Sequence, residues 1–576
     1  MKLIFKSMGK YKWAILFAIF LKLLGTMTEL TIPYILEHMI DNIVPAGRMA
    51  EVILWGLLMF IVAILCRQLN VMANRRAINN AHRVSFDVRQ ALFKKTANLS
   101  GDKFDSFGLP SLISRMTSDS YNVQACVAML QALCVRAPMM LIGGVIMTFM
   151  MDRALSMVLI VMLPFLILVI FIVSSKGIPM YTGVQKKLDS VVRIMRENIT
   201  GIRVVKALSK GEYEKKRFAA ANEEMAHSDM RAGTIMAIPG PFMQLCLNIG
   251  LTVVVIFGAV RVNNGLMQPG VILAFLTYFN MITMGVMGLN RIFMSMSKAS
   301  ASADRIAEVI ETEDGWEIAY GGEKDGHIRF DNVSFSYGSE SKTDADFAGG
   351  KRERALENIS FSLNKGESLG IIGPTGCGKT TVVNLLMRFY DADEGSITID
   401  GRDVRSYEKD ELRRKFGVVF QNDMVFNDSI KNNIDFGRGI SQEDLNRAAE
   451  DAVAMEYIDS LENKMEYMAA IKGANLSGGQ KQRLLVARAL AADPEILVLD
   501  DSSSALDYKT DATMRAAIRK NHKDSTLIMI AQRVSSIMGM DHIMVMDNGS
   551  CIGYGTHEEL MENCPAYRET FEMQTT

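Results

Sequence analysis

Six long apolar segments in the first half of the chain constrain its fold more than any other feature. Each is roughly 20 residues or longer, which is enough for a helix to cross the hydrocarbon core of a bilayer. Because that core offers no partners to backbone polar groups, each segment must be helical. The predicted spans run approximately over residues 13–36, 52–71, 130–150, 155–174, 235–262 and 269–294.

Basic residues are concentrated in the two long connections that follow the second and fourth spans, whereas the other connections are short. The positive-inside rule therefore predicts that both basic connections and both termini are cytoplasmic, in a multi-pass protein of the cytoplasmic membrane. The basic start of the chain predicts an amphipathic segment on the membrane surface, not a signal peptide.

The two basic connections mix apolar and charged residues at helical spacing over residues 104–119 and 198–218. This pattern predicts that the membrane helices continue beyond the bilayer, with short cross-helices around residues 111–115 and 201–208. On the residues alone, these tips are either solvated hairpins or surfaces that dock on a soluble domain.

Lys22, Glu29 and Arg136 are ionisable residues that lie inside predicted spans. Such residues either line a cavity or pair with polar groups of neighbouring helices. The formal net charge of −1 gives no overall bias towards nucleic acid, and none is expected as a partner. The seven cysteines show neither metal-site spacing nor a disulfide framework, which is typical of a reducing compartment.

The second half of the chain has the pattern of an α/β domain. Strands are predicted over residues 328–337, 359–363 and 368–372, with a polar loop over 338–354. The third strand runs directly into a glycine-rich loop that ends in Lys379 and Thr380, and a helix is predicted over 382–389. The loop consists of Gly373, Pro374, Thr375, Gly376, Cys377, Gly378, Lys379, Thr380 and Thr381. In this pattern, backbone N–H groups cradle phosphates, the lysine reaches the outer phosphates and the Thr380 hydroxyl binds magnesium.

Two further motifs lie downstream of this loop. Residues 496–499 are four apolar β-formers that predict a buried parallel strand, which delivers Asp500 and Asp501 to the edge where such sheets bind ligands. Ser477, Gly478 and Gly479 precede a predicted helix and form a second helix N-terminus suited to phosphate. Because the glycine-rich loop already serves one nucleotide, this second site would serve a nucleotide held by another chain.

Taken together and in this order, these motifs closely resemble those of an ATP-binding cassette (ABC) transporter of the exporter type. The resemblance covers essentially the whole chain. It implies an α-helical six-span transmembrane domain followed by an α/β P-loop nucleotide-binding domain. The expected boundaries are 1–305 for the transmembrane domain, 306–325 for a linker and 326–576 for the nucleotide-binding domain.

The resemblance assigns a role to each matching residue, with ATP and Mg²⁺ as cofactors. Tyr337 would stack on adenine, and Thr380, Gln421 and Asp500 would hold magnesium. The signature motif would complete the partner's site, and Asp507, in the loop 504–507, would communicate between sites. The signature consists of Leu476, Ser477, Gly478, Gly479 and Gln480. The tips around residues 111–115 and 201–208 resemble the family's coupling helices.

The chain departs from the family at two positions. The family places Glu after the magnesium-binding Asp and a His after a later strand, whereas this chain has Asp501 and Gln532. Asp501 is one methylene shorter than Glu, and Gln532 cannot exchange a proton near neutral pH. The segment 470–473 also lacks the Glu that the family often has before the signature.

These departures predict a site that binds ATP but cleaves it slowly, since a positioned base contributes about 10²–10⁴ in rate. With the signature intact, the chain resembles one subunit of a heterodimeric exporter whose partner is a second ABC half-transporter. The expected substrate is an amphipathic or drug-like compound, moved across the lipid bilayer by coupled ATP hydrolysis. The alternatives are a homodimeric lipid or peptide exporter and an ATP-gated channel or regulator.

Overall fold

The computed structural model describes residues 2–316, 326–338, 354–502 and 505–575. The chain divides into two compact units. The first contains residues 1–96 and 110–312, and the second contains residues 97–109 and 313–576. Residues 317–325 of the predicted linker over 306–325 lie outside the described residues, as do residues 339–353, which are most of the predicted polar loop.

The first 312 residues are almost entirely helical. The helices are α1 Lys2–Gly9, α2 Lys12–His38, α3 Met49–Asn98, α4 Gly101–Phe107, α5 Leu109–Ser114, α6 Ser120–Met151, α7 Arg153–Thr200, α8 Ile202–Ala207, α9 Gly211–Ala237, α10 Pro239–Asn263 and α11 Pro269–Glu311. Two π-helical turns, Met39–Ile43 and Arg115–Asp119, continue α2 and join α5 to α6.

Six helical stretches in the described part of the chain are long and apolar enough to cross a membrane, which confirms the six predicted spans. They are Lys12–Ile43, Met49–Asn98, Leu109–Met151, Arg153–Val173, Gly211–Asn263 and Pro269–Glu311. With its 50 residues, α3 is about 75 Å long at 1.5 Å per residue. This is more than twice the thickness of the hydrocarbon core, so the prediction that the helices extend beyond the spans is confirmed.

Helices α6 and α11 pack closely at the centre of the first unit because small residues lie between them. A Cβ atom added at Gly144 would lie 2.7 Å from Ile282 Cγ1, and one added at Gly285 would lie 2.9 Å from the Ala137 carbonyl oxygen. Small residues allow helix backbones to approach in this way inside membranes. The buried ring of Tyr278 fixes the third helix of this bundle, because its hydroxyl donates to the Leu30 carbonyl on α2.

Lys22, Glu29 and Arg136 have partners from neighbouring helices. Arg136 on α6 forms an ion pair with Glu29 on α2 at 2.8 Å. Lys22 is buried and donates to the side-chain oxygens of Asn70 and Asn74 on α3, at 2.8 and 3.1 Å. These contacts join helices α2, α3 and α6, and a cavity-lining role stays a prediction.

One of the two short cross-helices is not where the pattern placed it. Helix α8 occupies residues 202–207, which confirms the prediction around 201–208. The prediction around 111–115 is wrong, because those residues belong to α5 and the π-helical turn that lead into α6. The separate short helix is α4. It begins after Ser100, which caps it, and it ends at Gly108, whose φ of 70° interrupts the helix.

The second unit contains two sheets. Its strands are β1 Ile328–Phe335, β2 Leu356–Leu363, β3 Ser368–Ile372, β4 Glu394–Ile399, β5 Arg402–Asp403, β6 Phe416–Val419, β7 Ile496–Asp500, β8 Thr526–Ile530, β9 His542–Asp547 and β10 Ser550–Gly555. One sheet is antiparallel with the order β2-β1-β4-β5. The other has the order β10-β9-β3-β8-β7-β6 and is parallel except for β10.

Helices cover the parallel sheet. They are α12 Lys379–Leu386, α13 Lys409–Arg414, α14 Ile430–Asp435, α15 Gln442–Asp451, α16 Met455–Ser460, α17 Gly478–Leu490, α18 Tyr508–Asn521, α19 Val534–Ile537, α20 His557–Asn563 and α21 Pro565–Thr575. Helix α12 begins and ends three residues earlier than the predicted 382–389; it ends at Leu386, and Arg388 beyond it has a φ of 52°. All five residues of β7 are buried, which confirms the predicted buried parallel strand.

Candidate functional site

Four neighbouring strands of the parallel sheet end at the same edge and deliver the candidate residues. In the order β3, β8, β7 and β6, these strands are followed by the glycine-rich loop, Gln532, Asp501 and Gln421. A cleft of about 580 Å³ opens at this edge. Ligands of open α/β sheets bind beyond the carboxyl ends of the strands, so the topology alone marks this cleft as the site.

The glycine-rich loop after β3 has a conformation that only glycine adopts easily. Gly376 and Gly378 have φ values of 88° and 99°, and Gly378 immediately precedes α12. A Cβ atom at Gly378 would also lie 2.6 Å from the Ala355 carbonyl oxygen. The loop therefore presents its backbone at the N-terminus of α12, where N–H groups and the helix dipole favour an anion.

Lys379 is held at the mouth of the same loop. Its Nζ donates to the carbonyl oxygens of Gly373 and Pro374, at 2.8 and 2.7 Å. These bonds hold an ammonium group beside the backbone N–H groups of α12. The arrangement places a cation next to a fixed set of donors, which suits a polyphosphate.

Thr380 and Asp500 meet inside the cleft. The Thr380 hydroxyl donates to Asp500 Oδ2 at 2.7 Å, and Asp500 is only 1% exposed. Burial raises the pKa of the Asp500 carboxyl, and the neighbouring Asp501 acts in the same direction. The hydrogen bond from Thr380 and the charge of Lys379 act in the opposite direction. A buried carboxylate beside a hydroxyl and a lysine is suited to a divalent cation carried by phosphates.

Asp501 and Gln532 contact each other across adjacent strands. Gln532 Nε2 donates to Asp501 Oδ2 at 2.9 Å, and the Asp501 N–H donates to the Ile530 carbonyl at 3.0 Å. Asp501 also adopts a φ of 49°, which is uncommon for a residue other than glycine. Burial raises the pKa of the Asp501 carboxyl, with the Lys379 charge and the Gln532 bond acting in the opposite direction. One carboxylate oxygen is thus occupied by an amide donor that carries no titratable proton.

Tyr337 lies at the other end of the cleft, just after β1. Its ring is 42% exposed and stands edge-on to the rings of Phe335 and Tyr390, with centroids 4.9 and 5.2 Å apart. Its hydroxyl donates to Thr381 Oγ1 at 3.1 Å. An exposed aromatic face is thereby fixed beside the phosphate-facing helix, in a position suited to a base.

The signature motif forms a well-capped helix N-terminus, as predicted, but it does not line this cleft. Ser477 and Gln480 form a reciprocal capping box at the start of α17. Asp507 caps α18 by accepting from the Thr510 N–H at 2.9 Å. The Gln482 side chain accepts from the Ala505 N–H at 3.0 Å and so ties the loop before α18 to α17. Ser504, the first residue of the predicted 504–507 loop, lies outside the described residues.

The cleft brings together most, but not all, of the predicted residues of the chain's own site. It is lined by Tyr337, Thr375, Gly376, Gly378, Lys379, Thr380, Thr381, Gln421, Asp500, Asp501 and Gln532. Gly373 and Pro374 contribute carbonyls to Lys379 instead, and Cys377 is buried.

Sequence reasoning missed Arg354, Ala355 and Ile530 on the lining of the cleft. Of these, Arg354 is the one that a charge pattern could have pointed to. It is a basic residue at the end of the polar loop, just before β2.

No group of three or more His, Cys, Asp or Glu side chains that could hold a metal occurs among the described residues. Thr380, Gln421 and Asp500 nevertheless line one cleft. Their side chains offer a hydroxyl oxygen, an amide oxygen and a carboxylate. Mg²⁺ binds to one or two carboxylates together with substrate phosphates and water, so these residues fit a magnesium ion that arrives with a nucleotide.

Comparisons with known proteins match both halves of the chain. The family described as "ABC transporter transmembrane region" matches residues 15–286, and the family described as "ABC transporter" matches residues 356–504. The uncharacterized ABC transporter ATP-binding protein YfiB of Bacillus subtilis (strain 168) is 34% identical over 561 residues, covering 97% of this chain and 96% of that protein. The ATP-dependent lipid A-core flippase of Vibrio vulnificus (strain CMCP6) is 32% identical over 495 residues, covering 85% of this chain and 83% of that protein.

A solved structure gives the same architecture. A bacterial Atm1-family ABC exporter with ATP bound superposes with a TM-score of 0.82 at 22% sequence identity, covering 98% of this chain and 99% of that one. At this identity the likeness concerns the fold. The helical domain with six candidate spans, followed by the α/β domain, is the fold that the sequence predicted.

Proposed function

Because the chain belongs to the ATP-binding cassette transporter family and has the architecture of an exporter half-transporter, we propose that it is one subunit of a heterodimeric exporter. The pair would move amphipathic or drug-like compounds across the cytoplasmic membrane. This chain would contribute an ATP site that binds more than it hydrolyses, together with the intact signature for the partner's site.

The hydrogen bond between Gln532 and Asp501 is the observation that carries this proposal. A general base must reach the attacking water through a free oxygen with a suitable pKa. Here Asp501 is shorter than a Glu, and one of its oxygens accepts from Gln532 at 2.9 Å. Gln532 itself cannot accept or release a proton near neutral pH. Neither side chain is suited to activating water, although the phosphate-binding part of the cleft is complete.

The chain's own residues would bind MgATP in the following way. The backbone of the glycine-rich loop and Lys379 would bind the phosphates, and Tyr337 would stack on adenine. Thr380, Gln421 and Asp500 would hold the magnesium ion, which, when bound, would neutralise phosphate charge. The full set of residues on the phosphates would be Gly373, Pro374, Thr375, Gly376, Cys377, Gly378, Lys379, Thr380 and Thr381.

The signature motif would act on a nucleotide held by the partner. It forms a capped helix N-terminus at α17, and it lies outside the cleft of its own chain. A phosphate-ready helix end without a nucleotide site of its own needs a second chain. Leu476, Ser477, Gly478, Gly479 and Gln480 would therefore complete the partner's competent site, and Asp507 would lie between the two sites.

Hydrolysis by the purified full-length chain tests the heterodimer. We expect the chain alone to bind MgATP and to hydrolyse it slowly, because both the base and the switch residue are replaced. Brisk hydrolysis by the chain alone that is abolished by Asp501→Ala would support a homodimer instead.

A second experiment addresses the signature. In the chain co-purified with its partner, Ser477→Arg should lower hydrolysis at least about tenfold, since it disrupts a helix N-terminus that faces phosphate. Binding of ATP to the isolated chain should stay unchanged. If hydrolysis by the pair survives this change, the signature does not serve the competent site.

A homodimeric lipid exporter is the strongest alternative, because one relative is named as a lipid A-core flippase. A peptide exporter or an ATP-gated channel would share the same nucleotide residues. ATP-dependent accumulation of a dye in inverted vesicles, compared with passive ion current in the same membranes, separates an exporter from a channel. Movement of a labelled lipid in those vesicles separates the lipid exporter.

The topology proposed for the chain follows from its charges. Both termini and the nucleotide-binding domain would lie in the cytoplasm, with basic connections on the same side. The proposed division is residues 1–305 for the transmembrane domain, 306–325 for a linker and 326–576 for the nucleotide-binding domain. Residues 46 and 265 lie in two short connections, which this topology places on the side opposite to the cytoplasm. A single cysteine introduced at either position should therefore react with a membrane-impermeant label added from that side.

A further inference from the structure

Helix α4 and the proposed adenine-stacking residue are joined by one side chain, Tyr390. Its ring stands edge-on to the ring of Tyr337, with centroids 5.2 Å apart and an interplanar angle of 85°. Its hydroxyl donates to Asp105 Oδ2 on α4 at 2.6 Å. Tyr390 therefore contacts both Tyr337 and a helix whose Asp105 lies 285 residues earlier in the chain.

The rings around Tyr390 form a fixed cluster. Phe335 is buried and contacts both tyrosines, with centroids 4.9 Å from Tyr337 and 5.6 Å from Tyr390. The Tyr337 hydroxyl donates to Thr381 and accepts from Asn384 Nδ2 at 3.3 Å, which ties the cluster to α12. A ring held at its edge by a second ring and at its hydroxyl by a helix cannot turn without moving its neighbours.

Helix α4 lies against the segment that carries Phe389 and Tyr390. The Gly101 N–H donates to the Phe389 carbonyl at 2.9 Å, and the Ser100 N–H donates to the Asp314 carbonyl at 3.0 Å. A Cβ atom at Gly101 would lie 2.7 Å from the Phe389 carbonyl oxygen and 2.9 Å from Tyr390 Cζ. Only glycine permits this approach, so the start of α4 and the Tyr390 ring form one packed contact.

The electrostatics of the Tyr390–Asp105 contact are suited to a permanent hydrogen bond. Burial raises the pKa of the Tyr390 phenol, and the hydrogen bond to Asp105 and its charge act in the same direction. The phenol therefore keeps its proton near neutral pH and donates it to a carboxylate. Hydrogen bonds to charged acceptors are the stronger class.

We propose that Tyr390 is a positioning residue that holds Tyr337 for adenine and passes the occupancy of the adenine site to helix α4. The inference rests on the proposed nucleotide function of this chain, because it uses Tyr337 as the adenine-stacking residue. An adenine on the exposed face of Tyr337 fixes that ring, the fixed ring supports the Tyr390 edge, and the Tyr390 hydroxyl then holds Asp105. Binding of ATP would thus stabilise α4 without any contact between α4 and the nucleotide.

Hydrogen exchange of the full-length chain in lipid nanodiscs tests this step. Peptides covering residues 97–109 are followed with and without MgATP, and ATP affinity is measured in the same samples with a fluorescent ATP analogue. In the wild type, MgATP should slow exchange in this segment about threefold, which is the size expected from one aromatic contact.

Two substitutions separate the ring of Tyr390 from its hydroxyl. Tyr390→Phe keeps the ring and removes the bond to Asp105, so exchange of residues 97–109 should rise about tenfold and no longer respond to MgATP, while ATP affinity stays within about twofold. Tyr390→Ala should also weaken ATP binding about fivefold, because Tyr337 loses its neighbour. Asp105→Asn keeps an acceptor oxygen for the Tyr390 hydroxyl, so this variant should keep part of the MgATP-induced slowing of exchange.

Tyr554→Phe is the matched control, because the Tyr554 hydroxyl donates to the Ser362 carbonyl at 3.1 Å, away from the cleft. In this variant, the hydrogen exchange of residues 97–109 and the affinity for ATP should match those of the wild type. If MgATP binds without slowing exchange in the wild type, or if Tyr390→Phe responds like the wild type, Tyr390 has no such role. If the wild type binds no ATP at all, the proposed nucleotide function fails together with the inference.

Discussion

The chain contains two glycine-bearing helix N-termini of similar construction, and they differ in what surrounds them. The loop before α12 lies in a cleft with Lys379, Asp500 and Tyr337 of its own chain. The signature before α17 is capped by Ser477, and among the described residues its members do not line that cleft. One glycine-bearing helix end therefore has a cleft of its own, and the other would become part of a site only with a second chain. This difference is the physical reason for expecting a partner chain.

The largest expected effect concerns the chemistry at the complete site. Asp501→Glu combined with Gln532→His restores the residue types that the family uses, and hydrolysis by the isolated chain should rise by about 10²-fold or more. The reason is that a longer carboxylate and a titratable imidazole replace a short carboxylate and an amide. Phosphate release is the measurement.

Adding Lys379→Ala to that double variant provides the control, because a gain in hydrolysis that depends on the cleft must then vanish. A double variant no faster than the wild type would show that these two positions do not limit hydrolysis.

A second prediction compares a lysine from each helix N-terminus. Lys379→Ala should weaken binding of ATP to the isolated chain about 10- to 100-fold, since it removes charged hydrogen bonds to phosphate. Lys481→Ala, just after the signature, should leave that affinity within about twofold. Equal losses from the two changes would mean that the signature of the isolated chain also contacts its nucleotide, and the contrast between the two sites would disappear.

The smallest effect concerns the glycines themselves. Gly378→Ala should lower the free energy of unfolding by about 1–3 kcal/mol, because the φ of 99° and the Ala355 carbonyl both oppose a side chain. Gly479→Ala should change it by less than about 0.5 kcal/mol, because Gly479 lies within α17 without a positive φ, and the Ala505 carbonyl oxygen, 3.3 Å from the added Cβ, has to move only slightly.

Thermal unfolding of both glycine variants in the same detergent gives the comparison. Similar losses in both would show that the two helix ends are equally constrained, in disagreement with the positive φ of Gly378, which Gly479 lacks.

Much of this fold was predictable because its signals are local. Long apolar runs have one solution in a bilayer, and residues 496–499 between Pro494 and two aspartates are typical of a buried strand. The placement of Asp500 at the cleft followed from that strand alone. Local signals also located α8, and a local signal was misread at α4. There, the Ser100 cap and Gly108 delimit a short helix ten residues before the predicted one.

The contacts that give the site its character were not predictable from the chain in order. The bond from Gln532 to Asp501 depends on β7 and β8 being neighbours, which the sequence does not state. The Tyr390–Asp105 contact joins residues 285 positions apart, and neither residue carries a motif. Arg354 lies on the cleft just before β2 begins, far in sequence from the glycine-rich loop and from Asp500. All three contacts depend on packing between residues that are distant in sequence, which a local sequence pattern cannot indicate.

The second unit is formed by two stretches that are far apart in the chain, residues 97–109 and 313–576, and this has a consequence for its biosynthesis. Residues 97–109 leave the ribosome long before the rest of that unit, and Asp105 precedes its partner Tyr390 by 285 residues. At translation rates of about 5–20 residues per second, the segment waits roughly 15–60 s for its binding surface to be made. Helix α4 carries three charged residues, Asp102, Lys103 and Asp105. The second unit can therefore complete its folding only after most of the polypeptide exists.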